Sequence, residues 1–125
     1  MGIYKRGLKT KGRHYNIEMI QFRDDAKYCY YCNVLLSNKG SKRRTIDHVV
    51  PLKQGGVNSL NNIVISCSKC NAIKGGYLIL DLIAQINSRI RFSDDGAEIQ
   101  RLNNIISNFE RGYVKWKETN QHMTN

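Results

Sequence analysis

Acidic side chains are scarce in this chain of 125 residues: 10 Asp and Glu stand against 20 Lys and Arg, a formal net charge of +10. Between Ala26 and Leu80 the one acid is Asp47, in the company of Lys27, Lys39, Lys42, Arg43, Arg44, Lys53, Lys69 and Lys74. A lone carboxylate in a basic field suits a polyanion, and suits a cation that bridges protein and polyanion. Long apolar runs are also missing. Leu82 to Ile86 is too short to span a bilayer, and arginines follow it. The opening residues, MGIYKRGLKTKGRHY, contain no apolar signal core. These absences point to a soluble, cytoplasmic protein and away from a membrane partner. Proline occurs once, as Pro51, where its missing N–H argues that a strand ends.

The length fits one domain with appended helices and a modest core, for which a metal staple is a natural supplement. The 4 cysteines stand as Cys29-x-x-Cys32 and Cys67-x-x-Cys70. Paired C-x-x-C turns without an export signal favour zinc over disulfides, since each turn offers two thiolates at the bite a tetrahedral ion needs. The loop between the pairs has room for a small functional unit. A redox role is disfavoured because neither pair opens a helix in a βαβ context.

Residues 1–15 form a basic arm, suited to tracking phosphates, with His14 near its end. Residues 16–27 read as a short helix capped by Asn16, with Ile17, Ile20 and Phe22 on its apolar face. Tyr28, Tyr30 and Tyr31 surround the first cysteine pair, and packing there is a commoner use of them than base stacking. Val34-Leu35-Leu36 leads into the basic, turn-rich SNKGSKRR. Residues 45–51, TIDHVVP, alternate as a strand, 53–62 form a loop, and 63–67, IVISC, make a second strand. A short helix follows from Ser68 to Lys74, stopped by Gly75-Gly76. Residues 77–91 place Ile79, Leu82, Ile83, Ile86 and Ile90 on one helical face. The last helix, 97–118, carries Ile99, Leu102, Ile106, Phe109, Tyr113 and Trp116 in a heptad-like seam weakened by Gly112. That seam fits packing on the preceding helix or pairing with a second copy of the chain. Fraying is expected from Thr119.

Asp47 and His48 fall on opposite faces of an ideal strand, and an Asp-His pair means little alone. Its company is more specific. Cys29-x-x-Cys32, Asp47-His48, Pro51, Gly55-Gly56, Asn62 before an apolar strand, and Cys67-x-x-Cys70-Asn71-x-x-Lys74 together resemble the HNH endonuclease family, with its ββα-metal fold. The resemblance covers 29 to about 75. It implies an α+β chain: a nuclease core at 16–92 stapled by a four-cysteine zinc site, with a C-terminal helix and tail at 93–125.

The resemblance also implies roles. His48 would be the general base that activates water, and Asp47 a ligand of the catalytic ion. Asn62 would tie the loop to the backbone and so position the histidine. Asn71 stands where many members have histidine, giving an H-N-N set. Asp47 and Asn71 both offer oxygen, which suits Mg²⁺ or Mn²⁺. Lys42, Arg43, Arg44, Lys53 and Lys74 are candidate phosphate contacts, with Lys74 projecting at the site's edge. The expected activity is metal-dependent hydrolysis of double-stranded DNA, as a nick or a double-strand cut. The alternative is a zinc-knuckle DNA-binding protein whose nuclease site has decayed. Small stand-alone members of this kind resemble phage packaging-associated, restriction and homing nucleases, which places the chain in a bacterial or phage-infected cell.

Overall fold

The structure is a computed structural model that describes residues 15–124, with side chains through Asn120. The basic arm before Tyr15, His14 included, lies outside the described residues, as do the His122 side chain and the final residue. The chain is α+β: helix α1 (Ile17–Asp25), strand β1 (Arg44–His48), strand β2 (Ile63–Cys67), then helices α2 (Ser68–Lys74), α3 (Ile79–Arg91) and α4 (Gly96–Thr124). None of these helices is long and apolar enough to cross a membrane.

Asn16 caps α1 as its sequence suggests, its Oδ1 accepting from the Met19 N–H at 2.9 Å. The buried face differs from the expectation. Met19 alone points into the core, whereas Ile17, Ile20 and Phe22 are exposed. Periodicity could not settle the face of a helix only 9 residues long.

The two strands pair antiparallel, with Asp47 opposite Val64 and His48 opposite Ile63. β1 stops at His48, ahead of Pro51, and a turn over Leu52–Gln54 starts the connecting loop. β2 is buried along its whole length and runs straight into α2. Direct succession of strand and helix puts α2 across the sheet, where its side chains reach back to β1.

α3 buries Ile79, Leu82, Ile83 and Ile86. Against it lies α4, started by Asp95, whose Oδ1 accepts from the Ala97 and Glu98 N–H groups at 3.0 and 3.3 Å. α4 continues past Thr119 to Thr124 instead of fraying there. Leu102, Ile106 and Phe109 from its seam sit in the same core cluster as the sheet and the cysteines. These three seam positions are therefore used within the chain. Gly112 has its own reason: a Cβ there would lie 2.7 Å from the Tyr31 ring, so the missing side chain lets the aromatic pack against the helix.

Candidate active site and cysteine cluster

The four cysteines converge as their spacing suggests. Their Sγ atoms all lie within 4.8 Å of one another, and none is in a disulfide. Each C-x-x-C closes the same turn: the Cys32 N–H donates to Cys29 Sγ at 3.5 Å, and the Cys70 N–H to Cys67 Sγ at 3.4 Å. Four thiolates around zinc at about 2.3 Å form a tetrahedron with edges of about 3.8 Å. The Cys32–Cys67 sulfur separation is 3.9 Å, so the cluster fits such an ion in donor type and size. The thiols are also electrostatically interdependent. A hydrogen bond from Cys70 brings Cys29 down to about 4, while Cys70 is pushed up strongly by that same bond and by burial. Burial raises Cys67 as well. Ionising all four together needs a cation between them.

The Asp47 side chain is 4 % exposed and held from two directions. Its Oδ2 accepts from the Tyr31 hydroxyl at 2.6 Å, and its Oδ1 faces Lys74 Nζ at 3.2 Å. Burial raises its carboxyl, and the Lys74 ammonium opposes that shift. Tyr31, itself buried against Phe109 with ring centroids 4.5 Å apart, is pushed well upward by burial and by the Asp47 charge. Packing is thus the use Tyr31 serves, with a hydroxyl contact that spacing did not foretell. Tyr28, by contrast, is exposed.

Lys74 requires a correction. A helix wheel places it at the site's edge, near phosphate; the structure buries it completely. Its ammonium bonds Asp47 and also donates to the His48 carbonyl at 2.9 Å. The reason is the strand–helix junction, which lays the last turn of α2 over β1. Asn71, one turn earlier, donates from Nδ2 to Thr45 Oγ1 at 3.0 Å. Thr45 and Asp47 share one strand face, so the i, i+3 spacing on the helix meets the i, i+2 spacing on the strand. Asn71 is half-buried, and its Oδ1 is the amide atom not used in this contact.

His48 is 7 % exposed and does not join the Asp47–Lys74 bond. Its Nε2 lies 2.8 Å from Asn58 Oδ1, and its ring stacks against Tyr15 with centroids 6.3 Å apart. Asn62 is buried and ties the loop to the strand end. Its Oδ1 accepts from the Val50 N–H at 3.0 Å, and its Nδ2 donates to the Val50 and Val57 carbonyls at 2.9 and 2.8 Å. Gly56 permits this closure, since a Cβ there would stand 1.8 Å from the Val50 oxygen. Trp116 of α4 braces the same loop by donating to the Asn61 carbonyl at 3.2 Å.

The other basic candidates divide in two. Lys42, Arg43 and Lys53 are exposed. Arg44 is engaged internally instead, donating to the Ala26 carbonyl at 2.9 Å and to Asn38 Oδ1 at 2.7 Å. Nothing in the sequence marks Thr45, Tyr15 or Trp116 as site residues. Asn58 alone carried a signal, as one of several asparagines in the loop.

The antiparallel pair and the following helix form a ββα unit, joined to a cysteine cluster able to hold a metal ion. The HNH endonuclease family model matches residues 29–76. The matched segment contains both cysteine pairs, Asp47, His48, Asn62 and Asn71. No curated protein matches the chain.

Proposed function

We propose that the chain is a metal-dependent endonuclease acting on double-stranded DNA, with structural zinc in the cysteine cluster. The observation that carries the reading is the buried His48 imidazole, fixed at the end of β1 within the HNH segment and beside Asp47. A neutral imidazole is suited to take a proton from water attacking a phosphodiester. Asn62 holds the loop that faces it, and Lys42, Arg43 and Lys53 supply exposed positive charge for the backbone of the substrate.

The catalytic ion would be Mg²⁺ or Mn²⁺, held by Asp47 and Asn71. These donors fit a hard cation, because both offer oxygen. The Asn71 Oδ1 is left over from the Thr45 contact, and the Asp47 carboxylate has lone pairs beyond the two bonds it accepts. Such an ion supplies charge stabilisation at the scissile phosphate. Lys74 would act behind it, balancing Asp47 and pinning the His48 carbonyl, not as a phosphate contact. Domain roles follow the same division: a DNA-tracking arm over 1–15, a core over 16–92 and a C-terminal brace over 93–125.

A second reading has an observation in its favour. Asp47 is enclosed by Tyr31 and Lys74, which is the state a decayed, purely DNA-binding site would keep. Supercoiled plasmid incubated with Mg²⁺ or Mn²⁺ separates the two. Relaxation or cutting by the wild-type chain, lost in His48→Ala, is expected; binding with the plasmid left intact in both would support the second reading.

A further inference from the structure

His48 Nε2 faces an atom that can only accept. Asn58 Oδ1 lies 2.8 Å away, so the hydrogen of a neutral ring belongs on Nε2 and the lone pair on Nδ1. No other described residue hydrogen-bonds the ring. Tyr15 covers one face of it, with the two planes 25° apart. Asn58 is itself placed from below. Its neighbour Val57 gives its carbonyl to Asn62 Nδ2 at 2.8 Å, and the turn at Leu60–Asn62 returns the chain to β2. The buried asparagine thus ties the loop, and the exposed one meets the ring.

We infer that Asn58 is the positioning residue of His48: its amide oxygen selects the tautomer and sets the ring angle so that Nδ1 is the proton-accepting atom. The geometry stands by itself, and its consequence for catalysis rests on the endonuclease reading. Partners of this kind, which orient a functional imidazole through its second nitrogen, are commonly worth about 10–100-fold in activity. Asn58 acts through His48, so the loss should fall on kcat and leave KM within about twofold. Asn58→Asp keeps an accepting oxygen in place and should restore most of the rate. Asn58→Leu keeps the bulk and removes the acceptor.

The decisive readout needs no substrate. Long-range ¹H–¹⁵N correlation spectra of the zinc-loaded full chain, taken near pH 8 where an ordinary histidine is neutral, report the two ring nitrogens of His48 directly. Wild type and Asn58→Asp should show Nε2 protonated and Nδ1 bare, and Asn58→Leu should move both signals toward the averaged values of a free imidazole. A wild-type ring that is averaged or protonated on Nδ1, or an Asn58→Leu spectrum identical to wild type, overturns the inference. Plasmid cleavage then separates the two levels of the argument. If wild type does not cut, the endonuclease reading fails while the tautomer result stands. If wild type and Asn58→Leu cut equally fast, the positioning role fails although the endonuclease reading survives.

Discussion

Replacing Lys74 by methionine removes the one cation that faces the buried Asp47 carboxylate while keeping most of the side-chain volume. At 3.2 Å the pair attracts by about 5 kcal/mol for an effective dielectric near 20. Taking both ions out of water offsets much of that, so the intact pair is worth far less than its attraction. Removing one partner is a different matter. It strands the other charge, at a cost of about 3–5 kcal/mol. Lys74→Met also frees the His48 carbonyl, the second acceptor of that ammonium. The assay is urea unfolding at saturating zinc. With a slope of about 2 kcal/mol per molar urea, the midpoint should fall by about 2 M.

The pH dependence gives the sign. Burial already raises the Asp47 carboxyl and Lys74 opposes it, so the variant's carboxyl rises further. A carboxyl raised in the folded state takes up protons on folding, and its destabilising effect grows as pH rises through the folded value. The gap between wild type and variant should therefore be widest at neutral pH and close on acidification. Adding Asp47→Asn to Lys74→Met should recover most of the loss, as coupled neighbours do. A midpoint shift under about 0.3 M, below 1 kcal/mol on the same slope, or a loss that is independent of pH, would refute the argument.

Other outcomes follow from the same geometry. Metal analysis should find about one tightly held zinc per chain; zinc uptake at neutral pH should release protons, because Cys67 and Cys70 are raised in the free cluster and must ionise to bind. Stripping that zinc with a chelator should lower helical circular dichroism and abolish activity together, since α2 carries both Cys70 and Asn71. Asn62→Ala deletes three hydrogen bonds to the loop and should cost about 2–3 kcal/mol at roughly 1 kcal/mol each, read in the same urea titration. Gly112→Ala puts a Cβ against the Tyr31 ring and should destabilise by about 1–3 kcal/mol, although alanine is the better helix former.

Much of the unit was legible because it rests on local rules. The cysteine cluster follows from paired C-x-x-C spacing, β2 from an apolar run of strand length, and α2 from the glycines that stop it. What escaped depends on contacts distant in sequence. Lys74 reads as a solvated helix residue until β1 is placed beneath α2. Tyr31 reads as knuckle packing until its hydroxyl meets Asp47, and Arg44 as a phosphate ligand until Ala26 takes its guanidinium. The seam of α4 is ambiguous in sequence because a partner helix and the chain's own core demand the same spacing. The Asn58–His48 bond required the shape of the loop, which glycines and asparagines announce without specifying.

The proposed role of His48 is to activate water for phosphodiester hydrolysis. It is tested most directly by single-turnover cleavage of supercoiled plasmid, comparing zinc-loaded wild type with His48→Ala at saturating Mg²⁺ or Mn²⁺. Loss of a general base should slow the reaction by about 10²–10⁴-fold with DNA binding preserved and the variant still folded at the assay temperature. Equal rates in the two proteins, or no cleavage by wild type with either metal, would contradict it.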